Sequence, residues 1–230
     1  MSESRVIMIS GASRGIGRAV AVRLRESGHR LSLGLRGAGE STGPLAAGDA
    51  VQHCSWDAAR PEDAARWVSE TVERFGRPDT LINSAGILRP FHIEDSDEGP
   101  LDEMLNINLK APMRLIRAAM PHLRRCGQGR VINLVSMSGK RIKSQGSGYA
   151  ISKFAMMALN HSIRNIGWQD GVRTTAICPG WVNTDMASVS SVKPEDMTQP
   201  EDLAELIDTL LRLPNTMAIN EVGICCELEF

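Results

Sequence analysis

The chain has 230 residues, a length that suits one domain of the larger kind with an ample hydrophobic core. Apolar residues at 42% and charged residues at 23% are ordinary for a soluble globular protein, and no apolar run approaches the ~20 residues needed to span a bilayer. With a formal net charge of −1, the composition gives no electrostatic reason to expect a nucleic acid or an anionic membrane surface as a partner.

Seven short apolar runs recur along the chain and are predicted to be strands. Segments with helical spacing lie between them; in residues 62–75, Ala65, Val68, Val72 and Phe75 share one helical face. Strands that alternate with helices, several of them apolar on both faces, indicate a parallel sheet covered on both sides. We expect a single doubly wound α/β domain of the Rossmann type over residues 1–230, with about six helices and strands at 6–10, 30–36, 51–57, 80–86, 130–136, 172–180 and 221–228. Residues 37–49 are rich in turn formers and are expected to replace the helix usual between the second and third strands.

The first chemical signal follows the first predicted strand, where Gly11, Gly15 and Gly17 lie in the stretch SGASRGIGRAV. Glycines permit backbone angles that other residues avoid and allow a phosphate to approach the main chain. The helix expected to begin near Ile16 then offers free N–H groups and the positive end of its dipole to that phosphate. A glycine turn without a ligand is the alternative, but the position after the first strand of a βαβ unit favours a dinucleotide site.

The end of the second predicted strand indicates which dinucleotide is bound. NAD-specific sites place an acidic residue there, which accepts from the ribose 2′-OH. Here the strand ends Gly34-Leu35-Arg36, and Arg14 in the glycine turn is a second cation expected near the same point. Two guanidinium groups suit a 2′-phosphate, so NADP(H) is favoured over NAD(H). The alternative is that either arginine points into solvent.

Tyr149, the only tyrosine, is followed four residues later by Lys153, so both side chains lie on one face of a predicted helix. A free phenol has a pKa near ~10 and is a poor base at neutral pH. A lysine ammonium about 4 Å away, at an effective dielectric near ~20, stabilises phenolate by roughly 4 kcal/mol, and desolvation opposes part of this. We therefore expect the pKa of Tyr149 to be lowered toward the working range of a general acid or base.

Further motifs follow in the chain: Asn83-Ser84-Ala85-Gly86, Ser136 thirteen residues before Tyr149, and residues 179–184, PGWVNT. With the glycine turn and Tyr149-x-x-x-Lys153, this set closely resembles the classical short-chain dehydrogenases/reductases over residues 5 to 228. In motif style the chain is most similar to the 3-ketoacyl-carrier-protein reductases. It differs from that branch in ending INEVGICCELEF rather than in a glycine-rich tail, and it reads NSAG where NNAG is commoner in the family.

The resemblance implies an oxidoreductase that interconverts a carbonyl compound and its alcohol by hydride transfer, with Tyr149 as general acid/base. It places the catalytic serine at Ser136, whose hydroxyl would donate to the substrate oxygen; Ser138 is the nearby alternative. It implies that Asn108 holds a water linking Lys153 to solvent, and Asn106 is the less suitable neighbour. Lys153 would also bond the nicotinamide ribose hydroxyls.

The cofactor contacts of the family are carried over position by position. Asp57 would accept from the adenine amine, the segment after the fourth strand would line the adenine ribose, and the segment after the sixth would hold the carboxamide and pyrophosphate. A solvated strand end is the alternative for Asp57, and a plain turn is the alternative for Pro179-Gly180. The implied cofactor-binding residues are Gly11, Ser13, Arg14, Gly15, Ile16, Gly17, Arg36, Asp57, Asn83, Ala85, Gly86, Tyr149, Lys153, Pro179, Gly180, Val182 and Thr184.

The resemblance also places a small-molecule carbonyl or alcohol substrate against four parts of the chain. Trp181, Met186 and Met197 among them hint at an apolar pocket, although ordinary packing would explain them equally. A homodimer or homotetramer is implied, packed through the helices at about 100–125 and 149–167. The substrate-contacting parts are residues 87–92, 137–145, Trp181 and 186–197.

Five cysteines, an odd number without metal-type spacing, are expected to be reduced thiols of a cytoplasmic protein. The five histidines are scattered, and we assign no metal. The start of the chain runs directly into a strand and a glycine turn, so we expect no secretory signal. Two rival functions fit the sequence less well: a sugar-nucleotide epimerase, for which the last part of the chain leaves little room, and a non-catalytic NADP sensor, which would be expected to lose Tyr149, Ser136 or Lys153.

Overall fold

The computed structural model describes residues 4–37, 43–143 and 145–226. Within these ranges the strands are β1 (Val6–Ser10), β2 (Arg30–Leu35), β3 (Val51–Ser55), β4 (Thr80–Asn83), β5 (Arg130–Leu134), β6 (Arg173–Pro179) and β7 (Glu221–Ile224). They form one sheet in the order β3-β2-β1-β4-β5-β6-β7, and every neighbouring pair is parallel. The predicted seven-stranded parallel sheet of the Rossmann type is confirmed.

Helices cover both faces of the sheet. One apolar cluster joins α1 and α6 to the sheet, and a second joins α2, α4 and α5 to its other face. Strand residues alternate between the two clusters: Ile7 and Ile9 of β1 belong to the first, and Met8 belongs to the second. Because both of its faces are buried, the central strand β1 reads as an almost continuous apolar run, whereas the edge strands β3 and β7 are only partly buried. The helices are α1 (Gly15–Glu26), α2 (Asp63–Phe75), α3 (Gly99–Leu105), α4 (Ala111–Cys126), α5 (Gly148–Gly167) and α6 (Pro200–Arg212).

The buried face of α2 is rotated by one residue from the predicted one. Ala65 is exposed, whereas Ala64, Trp67 and Thr71 are buried together with Val68 and Phe75, and Val72 lies at the edge. The indole N–H of Trp67 donates to the hydroxyl of Ser32 in β2 over 2.9 Å, which satisfies a polar group inside this layer. The spacing was right, but the bulkiest apolar residue, Trp67, sets which face turns inward.

The predicted strands extend past the observed ones at their carboxyl ends. β4 ends at Asn83 rather than at residue 86, and β5 ends at Leu134 rather than at residue 136. The extra residues leave the hydrogen-bonded ladder and form the loops that carry the site. In the predicted irregular connection, a short 3₁₀ turn (Gly43–Leu45) buries Leu45. Residues 38–42 of that connection, and 227 and 228 of the last predicted strand, lie outside the described residues.

The strand order places a crevice at the carboxyl ends of β1 and β4. Strand β1 has β2 on one side and β4 on the other, so the chain reverses its direction of winding at this point. Doubly wound sheets bind ligands in the crevice outside the carboxyl ends of the strands at such a switch point. Each helix in the described ranges is too short or too polar to cross a bilayer.

Candidate active site

The glycine turn joins the carboxyl end of β1 to α1. Gly11 has a φ of 72°, in the left-handed region, and a Cβ at this position would lie 2.7 Å from the backbone nitrogen of Ala85. A Cβ at Gly17 would overlap the carbonyl oxygen of Gly11. A side chain at either position would push the turn away from the loop that follows β4. The two glycines therefore keep the main chain close-packed and leave the crevice open to a ligand.

The first turn of α1 offers free donors to that crevice. Arg14 is its N-cap residue with extended backbone, no side chain caps the helix, and its first turn contains no acidic residue. Within the described residues, these N–H groups and the positive end of the helix dipole therefore have neither a capping side chain at Arg14 nor a carboxylate in the first turn of α1. This arrangement fits the phosphates of a dinucleotide. Ser13 lies in the turn, and Ile16 packs against the apolar cluster behind it.

The end of β2 has the charge expected for a 2′-phosphate site. β2 ends at Leu35, and Arg36, the next residue, is exposed. Asp57 follows β3 and is half-buried; its carboxylate accepts from the backbone N–H of Ala59 over 2.9 Å. The backbone N–H of Asp57 donates to Asp63 at the start of α2, also over 2.9 Å. Asp57 thus shapes the turn into α2, and its contact with adenine stays a prediction.

Asn83 faces the interior of the sheet. It is 4% exposed, and its amide donates to Asn133 of β5 over 2.8 Å. Asn133 in turn donates to Asn160 of α5 over 2.8 Å. If Asn83 contacts the ribose of the cofactor, the contact must therefore be made by its backbone. Ala85 and Gly86 lie in the loop that follows. The sequence did not reveal that these three asparagines link the sheet to α5, because their order along the chain does not show that they meet.

Tyr149 and Lys153 lie together on α5, as their spacing predicts. Lys153 Nζ lies 5.4 Å from the centroid of the Tyr149 ring and donates to the carbonyl oxygen of Leu134 over 2.9 Å. Lys153 is only 5% exposed, and Tyr149 is half-buried. The pair is therefore held against the carboxyl end of β5, where the catalytic serine was expected.

The prediction that the pKa of Tyr149 is lowered is wrong for this structure. Burial raises the pKa of Tyr149 to about 12, and a hydrogen bond with Ser136 opposes the rise. Burial also lowers the pKa of Lys153 to about 8. Lys153 lies over the ring and bonds to Leu134, so desolvation, rather than attraction between ammonium and phenolate, governs both groups. The phenol is consequently protonated at neutral pH, which suits a proton donor.

Ser136 is the serine that meets Tyr149. Its hydroxyl donates to the carbonyl oxygen of Pro179 over 3.4 Å and accepts from the backbone N–H of Ser138 over 3.0 Å. Ser138 lies within the short 3₁₀ turn that follows (Met137–Gly139) and supports Ser136 through its main chain. The geometry thus agrees with the choice of Ser136 over Ser138, while its catalytic role stays a prediction.

Asn108 is placed by a π-helical turn, Asn106–Lys110, between α3 and α4. Such turns are frequent at functional sites. The Asn108 side chain accepts from the N–H of Ile87 over 2.8 Å and donates to its carbonyl oxygen over 2.9 Å. A Cβ on Gly86 would lie 3.4 Å from Asn108 Oδ1 and 3.8 Å from Lys153 Nζ, so both polar groups border this glycine. Asn106 instead accepts from Arg114 over 3.0 Å.

The segment after β6 returns along the carboxyl edge of the sheet. Gly180 donates its N–H to Ile224 of β7 over 2.7 Å, after Pro179 ends β6. Val182 is buried and forms a bridge with Thr198. Thr184 is half-buried, and its methyl group would lie 3.3 Å from a Cβ on Gly15. The segment therefore forms the wall of the crevice opposite the glycine turn.

Comparison with known proteins agrees with this geometry. The model of the short chain dehydrogenase family matches residues 5–195. The chain belongs to the short-chain dehydrogenase family. Members of this family are oxidoreductases that use NAD(P).

Two curated relatives of this short-chain dehydrogenase match nearly all of the chain but only part of their own length. An agropine synthesis reductase of Rhizobium rhizogenes is 38% identical over 99% of the chain, but the matched part is 54% of that protein. A second reductase of the same name and organism is 35% identical, again over 99% of the chain and 54% of the relative. The chain thus spans about half the length of these two curated relatives.

Two solved structures match over nearly their whole length. The alcohol dehydrogenase of Thermococcus sibiricus, complexed with 5-hydroxy-NADP, has a TM-score of 0.88 and 29% identity, with 96% of each chain covered. A β-ketoacyl-carrier-protein reductase of Bacteroides thetaiotaomicron has a TM-score of 0.83 and 25% identity, with 97% of each chain covered.

The apolar residues predicted to contact substrate differ in their exposure to solvent. Met186 is exposed and Trp181 half-buried, whereas Met197 is buried. Met197 is therefore a packing residue, which was the alternative to its lining an apolar substrate pocket. His92 and Gly146 form a bridge that joins the loop after β4 to the loop before α5. Ser144, in the predicted 137–145 part, lies outside the described residues.

Proposed function

We propose that the chain is an NADP(H)-dependent oxidoreductase that interconverts a carbonyl compound and its alcohol, with Tyr149 as general acid/base. The observation that carries the proposal is the convergence of Ser136, Tyr149, Lys153 and Asn108 beside the glycine turn. The direction favoured is reduction, because the phenol is held protonated and because the two relatives from Rhizobium rhizogenes are named as reductases.

The mechanism assigns a separate task to each group. The hydroxyls of Ser136 and Tyr149 are expected to donate to the substrate oxygen, and Tyr149 gives up its proton as negative charge develops there. Lys153 stabilises the charge left on the phenol oxygen, and Asn108 fixes the loop beside Gly86 where Lys153 meets the crevice. When bound, NADPH would supply the hydride that reaches the carbonyl carbon.

The pH dependence should report Lys153 rather than Tyr149. With its pKa lowered to about 8, Lys153 is charged below that pH and neutral above it, while Tyr149 stays protonated until about pH 12. We expect kcat/KM for reduction to be highest below pH 8 and to fall as the pH rises through about 8. Steady-state rates from pH 6 to 10 test this; a kcat/KM that stays level up to pH 10 would contradict it. Lys153→Arg keeps its charge throughout this range and, if folded, should show no fall near pH 8.

The preference for NADP(H) rests on charge at two positions. Arg36 follows β2 and Arg14 is the N-cap residue of α1, and among the described residues the end of β2 and the two residues after it, 34–37, contain no carboxylate. Support comes from the Thermococcus sibiricus structure, which is complexed with an NADP derivative. The contacts of the glycine turn and of residues 179–184 with the cofactor belong to the same proposal.

Replacing Arg36 with alanine should weaken NADPH binding far more than NADH binding. A charge-assisted contact is worth ~1.5–3 kcal/mol, which corresponds to roughly 10- to 150-fold in the dissociation constant. Fluorescence titration with both cofactors measures the effect. Arg77→Ala, which removes an arginine from the loop between α2 and β4, is the control and should leave both affinities unchanged. Equal losses of NADPH and NADH affinity in Arg36→Ala would show that Arg36 does not bind the 2′-phosphate.

The proposal extends to the assembly and setting of the protein. We expect residues 1–230 to act as one domain within a homodimer or homotetramer. Phe154 and Ile166 of α5 are 43% and 57% exposed, so a second copy of the chain would cover apolar surface there. The five cysteines are all free, which supports the cytoplasmic location predicted from them.

The experiment that tests the function is NADPH consumption with a panel of ketones, aldehydes, diketones and 3-ketoacyl thioesters. Turnover with at least one carbonyl class is expected, and the preferred member would name the substrate. Tight NADPH binding with no turnover on any member would favour the non-catalytic sensor instead.

A further inference from the structure

Arg14 forms an ion pair across the mouth of the crevice. Its Nη1 donates to Asp185 Oδ2 over 3.0 Å, although 171 residues separate the two along the chain. Asp185 begins the 3₁₀ turn Asp185–Val189 that follows β6. The Arg14 and Asp185 side chains are 73% and 79% exposed, so both are free to change partners.

The surrounding geometry keeps Asp185 near the glycine turn. Thr184, the residue before Asp185, lies close to Gly15: a Cβ added to Gly15 would lie 3.3 Å from the methyl group of Thr184. A cleft of about 250 Å³ lies between the start of α1 and residues 183–185, and Glu201 at the start of α6 also borders it. The contact between Thr184 and Gly15 therefore holds Asp185 close to Arg14.

The pair bears on cofactor selection because Arg14 is one of the two cations expected at the 2′-phosphate. A guanidinium held by a carboxylate must give up that partner, or share it, to bind a phosphate. Arg36, in contrast, forms no ion pair with any other described residue. We propose that Asp185 competes with the cofactor's 2′-phosphate for Arg14 and so lowers the preference for NADPH over NADH. The inference rests on the proposed NADP(H) function.

Asp185→Asn tests the competition because it removes the charge and keeps the shape. Exposed ion pairs are weak, so the expected gain is about two- to fivefold in NADPH affinity. NADH lacks the 2′-phosphate, and its affinity should not change. Cofactor fluorescence titrations at low salt measure both constants directly, and the gain should shrink at about 0.5 M salt because the charges are exposed.

Two variants separate this effect from a general change in charge. Glu201→Gln removes a carboxylate from the other side of the same cleft, and NADPH affinity should change much less than in Asp185→Asn. In an Arg14→Ala background, Asp185→Asn should have no effect on NADPH affinity, because the guanidinium for which the groups compete is gone. Thermal denaturation of each variant confirms that it is folded.

The outcomes distinguish the inference from the function on which it rests. Unchanged NADPH affinity in Asp185→Asn, an equal loss for NADPH and NADH, or a gain that persists without Arg14 would each overturn the competition while leaving the proposed function intact. Failure of the wild-type chain to bind NADPH would overturn both.

Discussion

Replacing Tyr149 with phenylalanine should reduce carbonyl turnover by about 10²- to 10⁴-fold, the range that a positioned general acid contributes. The substitution keeps the ring that packs beneath Lys153 and removes only the transferable proton. NADPH binding should weaken by no more than about fivefold, since one neutral hydrogen bond is worth about 1 kcal/mol. A large loss in kcat with a small change in NADPH affinity would therefore show that this hydroxyl donates the proton to the substrate oxygen.

The measurement combines steady-state kinetics with direct NADPH titration of both proteins. Ser69→Ala is a suitable control, because it removes a hydroxyl from the exposed face of α2, a different helix from the one that carries Tyr149. The control should keep full activity. Turnover by Tyr149→Phe within about tenfold of wild type would show that another group supplies the proton.

Gly17→Ala is expected to have the second large effect, on both folding and cofactor binding. A Cβ at this position would overlap the carbonyl oxygen of Gly11 and lie 3.0 Å from the hydroxyl of Ser84. Alanine is preferred over glycine in helices by about 1 kcal/mol, but overpacking of this kind costs about 1–3 kcal/mol and the backbone of the turn must move. The expected net result is a lower free energy of unfolding.

A displaced turn should also weaken NADPH binding by at least about tenfold, because the loss of a single charge-assisted hydrogen bond is worth ~1.5–3 kcal/mol. Urea denaturation and cofactor titration measure the two effects. Gly48→Ala is the matched control: no atom of the described residues lies within 4 Å of its Cβ position, and both quantities should stay near those of wild type. Unaltered NADPH affinity in Gly17→Ala would mean that the turn does not bind the cofactor.

The fold could be predicted from the sequence because its signals are local or periodic. The seven apolar runs became seven strands since a parallel sheet buried on both faces demands continuous apolar segments. Likewise, four residues along a helix make one turn, so Tyr149 and Lys153 had to share a face. The face of α2 was missed by one residue, because an average apolar pattern does not weigh Trp67 against Ala65.

The electrostatics of the site could not be predicted in the same way. The pKa values of Tyr149 and Lys153 depend on burial, which is a property of the packed structure, and burial reversed the expected direction for the phenol. The pairing of Arg14 with Asp185 depends on two loops that meet only after the sheet has formed. The inward orientation of Asn83 has the same origin, since Asn133 lies on the neighbouring strand.

The most direct test of the proposed function is hydride transfer from NADPH deuterated at the transferable position. Purified protein would be incubated with the labelled cofactor and each carbonyl of the panel, and the products analysed by mass spectrometry. We predict an alcohol that carries one deuterium on the former carbonyl carbon, formed by the wild-type chain and lost with Tyr149→Phe. NADPH that binds tightly but transfers no deuterium to any carbonyl would contradict an oxidoreductase function for this chain.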